Sequence, residues 1–235
     1  MTHWLTNVEV VGAENIPAKG PTLAVMNHFS IFDIPIITYH IAPKLPTFFS
    51  AQAVGKNAWA RPILWAFEGN HITVRRGKFD RTVLREGLDY LSRDEFVVIM
   101  PEGGVDNDTM PMSLAGVAPE FWPPASNSRL TGQLMAGRTG AAFIAAKAQV
   151  PILPLGATGI QFVEGNVKKL KRTDVTVNVG KPFMLDSIEG LRGKERKERL
   201  SADTDRIMLE IAKLLPRENR GTYKDRIKEK VEREK

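Results

Sequence analysis

The chain has 235 residues and no cysteine, and its hydrophobic share of 43% is ordinary for a globular protein. This length suits one α/β domain with a sizeable core, and the lack of cysteine excludes a disulfide framework and a thiolate metal site. No stretch approaches the roughly 18–20 apolar residues that span a bilayer, and the first residues lack the pattern of a signal peptide. We therefore predict a cytoplasmic protein whose membrane contact is peripheral.

Apolar runs of strand length recur along the chain, and several are continuous, as is typical of strands buried on both faces of a sheet. Patterns of helical period lie between them. The predicted strands are 22–26, 47–51, 71–75, 96–100, 152–155 and 175–179, and the predicted helices are 31–41, 80–92, 133–149 and 201–215. This alternation predicts an α/β fold with a mixed, largely parallel central sheet flanked by helices.

The organisation predicted from composition is a single domain over residues 1–216 followed by a charged tail over 217–235. Within the domain, a stretch at about 105–134, rich in Pro, Ser and Asn, reads as an inserted loop. In the tail, Tyr223, Ile227 and Val231 recur at helical spacing, but this apolar stripe is narrow. Fraying of the charged terminus is the favoured interpretation.

A candidate catalytic pair follows the first of these predicted strands, where His28 precedes Asp33 by five positions. Imidazole titrates near physiological pH, and a carboxylate that binds one ring nitrogen fixes the tautomer and strengthens the other nitrogen as a base. A continuous helix would turn positions five apart away from each other. The pairing therefore requires a turn between strand and helix, where Ser30 can act as the cap.

Three further blocks follow the segment that contains this pair, in a fixed order. They are Gly69-Asn-His-Ile-Thr-Val-Arg75, Val98-Ile-Met-Pro-Glu-Gly-Gly104 and Val150-Pro-Ile-Leu-Pro-Leu-Gly156. Together the four blocks resemble the motifs of the glycerolipid acyltransferase family, which includes the glycerol-3-phosphate and lysophosphatidate acyltransferases. The resemblance covers roughly residues 8–183, and it implies a glycerol-3-phosphate acyltransferase-like fold.

The resemblance also implies roles for individual residues. The HX4D pair, His28 and Asp33, is catalytic, and the acceptor site is formed by Arg75, Glu102, Gly103 and Arg138. One departure concerns the third block, where Gly104-Val105-Asp106 stands in place of the family's Thr-Arg-Ser, so that an expected arginine is missing.

By this resemblance the function is an O-acyltransferase of phospholipid biosynthesis. It would move a fatty acyl group from acyl-CoA or acyl carrier protein to the hydroxyl of an acceptor. The acceptor would be a lysophospholipid similar to lysophosphatidate, or a glycerol phosphate. The altered third block keeps two alternatives open, an acceptor without phosphate (another lipid or a polyol) and a catalytically weak lipid- or acyl-carrier-binding protein. A thioesterase is a third, since the same base could activate water. The acyl thioester is a co-substrate, and we expect neither a metal nor another cofactor.

The predicted partner surface is basic. The net charge of +6 is concentrated in 168–172 and 192–199, which suits anionic lipid headgroups better than nucleic acid because no nucleic-acid-binding module accompanies it. The aromatic stretch 59–67 is a second candidate for membrane contact. We therefore expect peripheral contact with the cytoplasmic face of an anionic membrane.

Overall fold

The computed structural model describes residues 6–30, 32–51, 71–74, 81–102, 132–167 and 169–227. Within these ranges, seven strands form one sheet in the order β1-β7-β6-β2-β5-β3-β4. The neighbours β6 and β7 pair antiparallel, and every other pair of neighbours is parallel. The strands are β1 Thr6–Val11, β2 Thr22–Met26, β3 Thr47–Ala51, β4 His71–Val74, β5 Phe96–Ile99, β6 Ile152–Thr158 and β7 Thr173–Val179. The predicted α/β class with a mixed, largely parallel sheet is confirmed.

Helices cover both faces of this sheet. Strand β2 is buried along its whole length because its side chains alternate between two apolar layers. Leu23 and Val25 belong to one layer, with α2, α3 and α5, whereas Ala24 and Met26 belong to the other, with α1 and α4. The described helices are α1 Asp33–His40, α2 Arg81–Ser92, α3 Gly140–Ala148, α4 Val163–Val167 and α5 Gly193–Lys213. None of them is long and apolar enough to cross a membrane.

Five strands, β2 to β6, run in the same direction, so their carboxyl ends share one edge of the sheet, called the carboxyl edge below. Because β7 is antiparallel to β6, its amino end at Thr173 lies at this edge too. Ligand sites in open α/β sheets collect at the carboxyl ends of parallel strands. We therefore expect the functional site among the residues that follow β2, β5 and β6.

One predicted helix is shorter than expected. The pattern over 133–149 predicted a helix through the whole stretch, but α3 begins at Gly140. Residues 132–138 form neither helix nor strand, and the N–H groups of Leu134 and Arg138 donate to the backbone of Asn219 and Pro101 instead of to a preceding turn. These tertiary contacts override a weak helical preference in a stretch that holds several glycines.

Another helix is longer than expected, and one strand was not predicted. Helix α5 begins at Gly193 rather than at 201, because its charged first half is supported by side-chain pairs one turn apart, Lys194 with Glu198 and Arg199 with Asp203. Strand β1, at the border of the sheet, alternates between less and more exposed positions, and so lacks the continuous apolar run on which the strand predictions relied.

The first part of the charged tail packs on the domain. Tyr223 and Ile227 are only 4% and 6% exposed and join the apolar layer around α5. Fraying is therefore wrong for 217–227, where the narrow stripe of apolar residues at helical spacing is enough to anchor the chain. Most of the predicted inserted loop lies outside the described residues, as do the aromatic stretch 59–67 and the tail beyond Ile227.

Candidate active site

The predicted pair lies at the carboxyl edge, directly after β2. The Nδ1 atom of His28 is 2.7 Å from Oδ2 of Asp33. The carboxyl group is fully buried, whereas 18% of the imidazole side chain is exposed. With an ionised Asp33, Nδ1 carries the proton and donates it to Oδ2, which leaves Nε2 with its lone pair. The structure thus brings together an oriented imidazole and a buried carboxylate at a site that solvent or substrate can reach.

A tight turn makes this contact possible over five residues. The backbone N–H of Ser30 donates to the same Oδ2 of Asp33 at 3.1 Å, and Ser30 Oγ accepts the N–H of Phe32 at 3.3 Å. Asp33 is the first residue of α1, and Pro35 in the first turn is tolerated because N–H groups there have no partner within the helix. Ser30 therefore supports the turn, but it does not cap α1, because the residue before the helix is Phe32 and no side chain makes a capping hydrogen bond there, so the predicted capping role is wrong.

The turn is fixed to the neighbouring strand by Asn27, which is fully buried. Its Nδ2 donates to the carbonyl oxygen of Ala157 at 2.8 Å, and its Oδ1 accepts the N–H of Ala157 at 2.8 Å. The side chain thus continues the pairing of β2 with β6 by one step beyond Met26. We did not single out this asparagine from the sequence, although it stands beside His28 in the first motif.

Glu102 also stabilises the turn that contains His28, through its side-chain carboxylate. It follows β5, is 5% exposed, and its Oε1 accepts the backbone N–H of His28 at 2.8 Å. Its Oε2 accepts the backbone N–H of Met135 at 2.9 Å. One carboxylate therefore ties the turn that holds His28 to the irregular segment 132–138, which we call the strap. These contacts favour a positioning role for Glu102, beside the acceptor contact that the resemblance implies.

The strap is held in turn by the end of the chain. The N–H of Leu134 donates to Asn219 O at 2.8 Å, and the N–H of Gly137 donates to Tyr223 Oη at 3.4 Å. Gly221 has φ +52, and a Cβ there would lie 1.9 Å from Leu134 O, so only glycine fits. Burial raises the pKa of the Tyr223 hydroxyl above its usual value. The sequence offered only the tail's apolar spacing as a signal of this support.

Of the two arginines predicted for the acceptor site, only Arg138 lies within the described residues. The backbone N–H of Arg138 donates to Pro101 O at 2.8 Å, and its side chain is exposed, so this cation stands at the carboxyl edge beside Glu102. Arg75 and Gly103 lie outside the described residues, and in the sequence they directly follow Val74 and Glu102. Their predicted roles in the acceptor site therefore stay predictions.

Replacement of Glu102 by Gln tests the positioning role. The amide would set an NH₂ donor against a backbone N–H donor, and charge-assisted hydrogen bonds contribute about 1.5–3 kcal/mol each. We expect Glu102→Gln to lower the free energy of unfolding by about that amount, measured by urea denaturation, and to lower kcat. Glu86→Gln, on an exposed face of α2, is the matched control. Unchanged stability with a raised KM for the acceptor would instead assign Glu102 to substrate contact.

The chain is similar to known proteins both in its family motifs and in its fold. A family model described as Acyltransferase matches residues 7–158, a range that includes His28, Asp33 and Glu102. No match was found among curated protein sequences. Among solved structures, the fold is similar to that of the 1-acyl-sn-glycerophosphate (LPA) acyltransferase, PlsC, from Thermotoga maritima, with a TM-score of 0.54 and 21% sequence identity. The match covers 87% of this chain and 73% of that chain.

Proposed function

The chain belongs to the Acyltransferase family, as its motifs predicted, and we propose that it transfers a fatty acyl group from a thioester to the hydroxyl of a lysophospholipid or a glycerol phosphate. The donor in this proposal is acyl-CoA or acyl carrier protein, and the reaction belongs to phospholipid biosynthesis. The observation that carries the proposal is the 2.7 Å contact of His28 Nδ1 with the buried Asp33 at the carboxyl edge.

The proposed mechanism is direct transfer with His28 as general base. Nε2 of His28 accepts the proton of the acceptor hydroxyl while the hydroxyl oxygen attacks the carbonyl carbon of the thioester. The tetrahedral intermediate then expels the thiolate of the donor, the C–S bond breaks, and the imidazolium returns the proton to the leaving sulfur. Asp33 stabilises the imidazolium between these steps. Each proton and electron pair is accounted for by the two substrates and His28, so the proposal includes no metal and no resident cofactor.

A covalent acyl-enzyme has less support. The chain has no cysteine, and such a route needs a nucleophile activated by an adjacent base. Ser30 is near His28 in sequence, but its Oγ accepts the N–H of Phe32 at 3.3 Å, which supports the turn. We therefore assign the site no protein nucleophile.

The acceptor is proposed to carry a phosphate. The motifs resemble enzymes that acylate glycerol phosphates, and the solved structure with a similar fold is an acyltransferase of 1-acyl-sn-glycerophosphate. Arg75 and Arg138 are the cations assigned to this group, with backbone contact from Gly103. An acceptor without phosphate is the second candidate, because Gly104-Val105-Asp106 replaces an expected arginine and adds a negative charge.

Replacement of Arg75 tests the phosphate assignment. A guanidinium binds phosphate through two parallel hydrogen bonds, which an ammonium cannot form. We expect Arg75→Ala to raise the KM for a phosphorylated acceptor at least about tenfold with little change in the KM for the donor, and Arg75→Lys to recover only part of the loss. Arg93→Ala, at the opposite edge of the sheet, is the control. Steady-state kinetics with lysophosphatidate and with a monoacylglycerol would decide, and equal use of both by the wild type would favour the acceptor without phosphate.

The enzyme is proposed to work peripherally on the cytoplasmic face of an anionic membrane. Lysophospholipids reside in bilayers, so the carboxyl edge with His28 has to reach the lipid surface for the proposed reaction. Exposed lysines in the two basic stretches supply attraction to anionic lipids, of about 1 kcal/mol for each basic side chain near the surface.

A further inference from the structure

A tight turn between α4 and β7 holds a leucine out into solvent. Leu170 has φ 52, a left-handed conformation that leucine rarely adopts, and its side chain is 98% exposed. The N–H groups of Lys169 and Lys171 both donate to Asn166 O at 2.9 Å, and Asn166 Nδ2 donates to Thr173 Oγ1 at 3.0 Å. Residues 169 and 171 are therefore tied to α4 by backbone hydrogen bonds, while the side chain of Leu170 is almost fully exposed. A strained and exposed apolar residue indicates a role outside the folding of the chain.

A second exposed apolar side chain precedes this turn. Phe162, 61% exposed, closes the 3-10 turn Ile160–Phe162, which directly follows β6. Its N–H donates to Gly159 O at 3.0 Å. Gly159 lies so close to β7 that a Cβ there would be 2.1 Å from Asp174 O. Phe162 and Leu170 therefore project from two neighbouring turns, one after β6 and one before β7.

Lysines flank Leu170 on both sides. Lys169 and Lys171 are exposed, and neither forms an ion pair within the described part of the chain. The other basic stretch differs, because Arg199 contacts Asp186 and Asp203, Lys194 contacts Glu198 at 3.7 Å, and Arg196 stacks on Phe143. Both lysines beside Leu170 are thus without an acidic partner in the described part of the chain, whereas on α5 this holds for Lys197 but not for Lys194 or Arg199.

These turns lie at the same edge of the sheet as His28. Strand β6 is the parallel neighbour of β2, so the turn that follows β6 is beside the turn that holds His28. The buried contacts of Asn27 with Ala157 join the two strand ends directly. A flat partner that met Phe162 and Leu170 would therefore lie at the same edge of the sheet as the imidazole.

We propose that Phe162, Lys169, Leu170 and Lys171 form a docking surface that inserts its two apolar side chains into an anionic lipid bilayer. The inference rests on the proposed function and assigns the membrane contact to this surface rather than to α5. Apolar side chains enter the boundary between headgroups and acyl chains, and lysines beside them bind the anionic headgroups. The docked edge would present the site of His28 to acceptors within the bilayer.

Vesicle sedimentation with matched variants tests this surface. The vesicles contain phosphatidylglycerol and phosphatidylcholine in equal amounts, at low salt. We expect Phe162→Ser/Leu170→Asn to weaken vesicle affinity at least about tenfold, and asparagine suits the left-handed backbone at 170. The control, Tyr39→Ser/Leu45→Asn, removes side chains that are 62% and 46% exposed near the opposite edge, and should bind like the wild type.

Charge reversal separates the two basic stretches. Lys169→Glu/Lys171→Glu should weaken vesicle binding at least about tenfold. Lys194→Glu/Lys197→Glu changes the net charge by the same amount, but this variant should retain most of the vesicle affinity. Equal losses in both double variants, a larger loss in the α5 variant, or no binding by the wild type would each overturn the proposal. The proposal would also be overturned if Lys169→Glu/Lys171→Glu bound vesicles normally but had lost binding to an acyl carrier protein.

Acyl transfer to a short-chain, water-soluble acceptor without vesicles separates this proposal from the proposed function. All four double variants should keep the wild-type rate in that assay, because none changes His28 or Asp33. A wild type that transfers no acyl group to soluble acceptors would contradict the proposed function, whatever the vesicles show. Normal soluble activity with unaltered vesicle binding in the Phe162/Leu170 variant would contradict only the docking surface.

Discussion

Replacement of His28 by Ala is expected to lower kcat for acyl transfer about 10²- to 10⁴-fold, because a positioned general base contributes that much. The imidazole is the group that the geometry orients toward substrate, with Nδ1 held by Asp33 at 2.7 Å and part of the ring exposed. The contact of residue 28 with Glu102 uses the backbone N–H, which alanine keeps. The turn should therefore persist, and steady-state kinetics of the purified variant would report the chemistry.

The control for this variant is His40→Ala at the end of α1, which removes an imidazole away from the turn. Circular dichroism should show a folded protein in both cases. A His28→Ala enzyme with near-normal turnover would exclude His28 as the base, and an equal loss in His40→Ala would indicate a general effect on α1.

Asp33→Asn is expected to cause a loss of similar size, about 10²- to 10⁴-fold in kcat, without change in side-chain shape. The N–H of Ser30 donates to Oδ2 of Asp33 at 3.1 Å, which favours an amide oxygen at that position. An amide that instead turns its NH₂ toward His28 forces Nδ1 to accept, so Nε2 carries the proton and can no longer act as a base. In either orientation the negative charge that stabilises the imidazolium is gone.

The readout is kcat together with the KM values of both substrates. We expect the loss in kcat, with the KM values little changed, since Asp33 is buried and acts through His28. Asp94→Asn, at a left-handed position that asparagine tolerates, is the matched control. An Asp33→Asn enzyme with the wild-type rate would remove Asp33 from the mechanism.

The pairing of His28 with Asp33 could be predicted because its determinants are local. The apolar run of β2, the serine at position 30 and the helical pattern after Asp33 lie within one short stretch, and each indicates the same turn. The sheet was predictable for a similar reason, since strands buried on both faces read as continuous apolar runs.

The support of the site could not be predicted because its partners are distant in sequence. Glu102 meets Met135 across 33 positions, and Tyr223 meets Gly137 across 86. The strap has a helical apolar pattern, but it is held out of a helix by contacts with Pro101, Glu102 and the end of the chain. Local sequence patterns contain no information about such distant contacts. The helix was therefore predicted to begin too early, and the tail was wrongly predicted to fray.

Transfer of an acyl group to an alcohol with His28 as base can be followed directly by analysis of the product. Purified wild type and His28→Ala protein would be incubated with a radiolabelled acyl thioester and lysophosphatidate, and the lipids separated. We predict that the label moves into the ester product with wild type and that this product falls at least about 10²-fold with His28→Ala. Label found only as free fatty acid would show a thioesterase, and label retained as bound thioester without turnover would show a binding protein. Either result would exclude acyl transfer to an alcohol as the function.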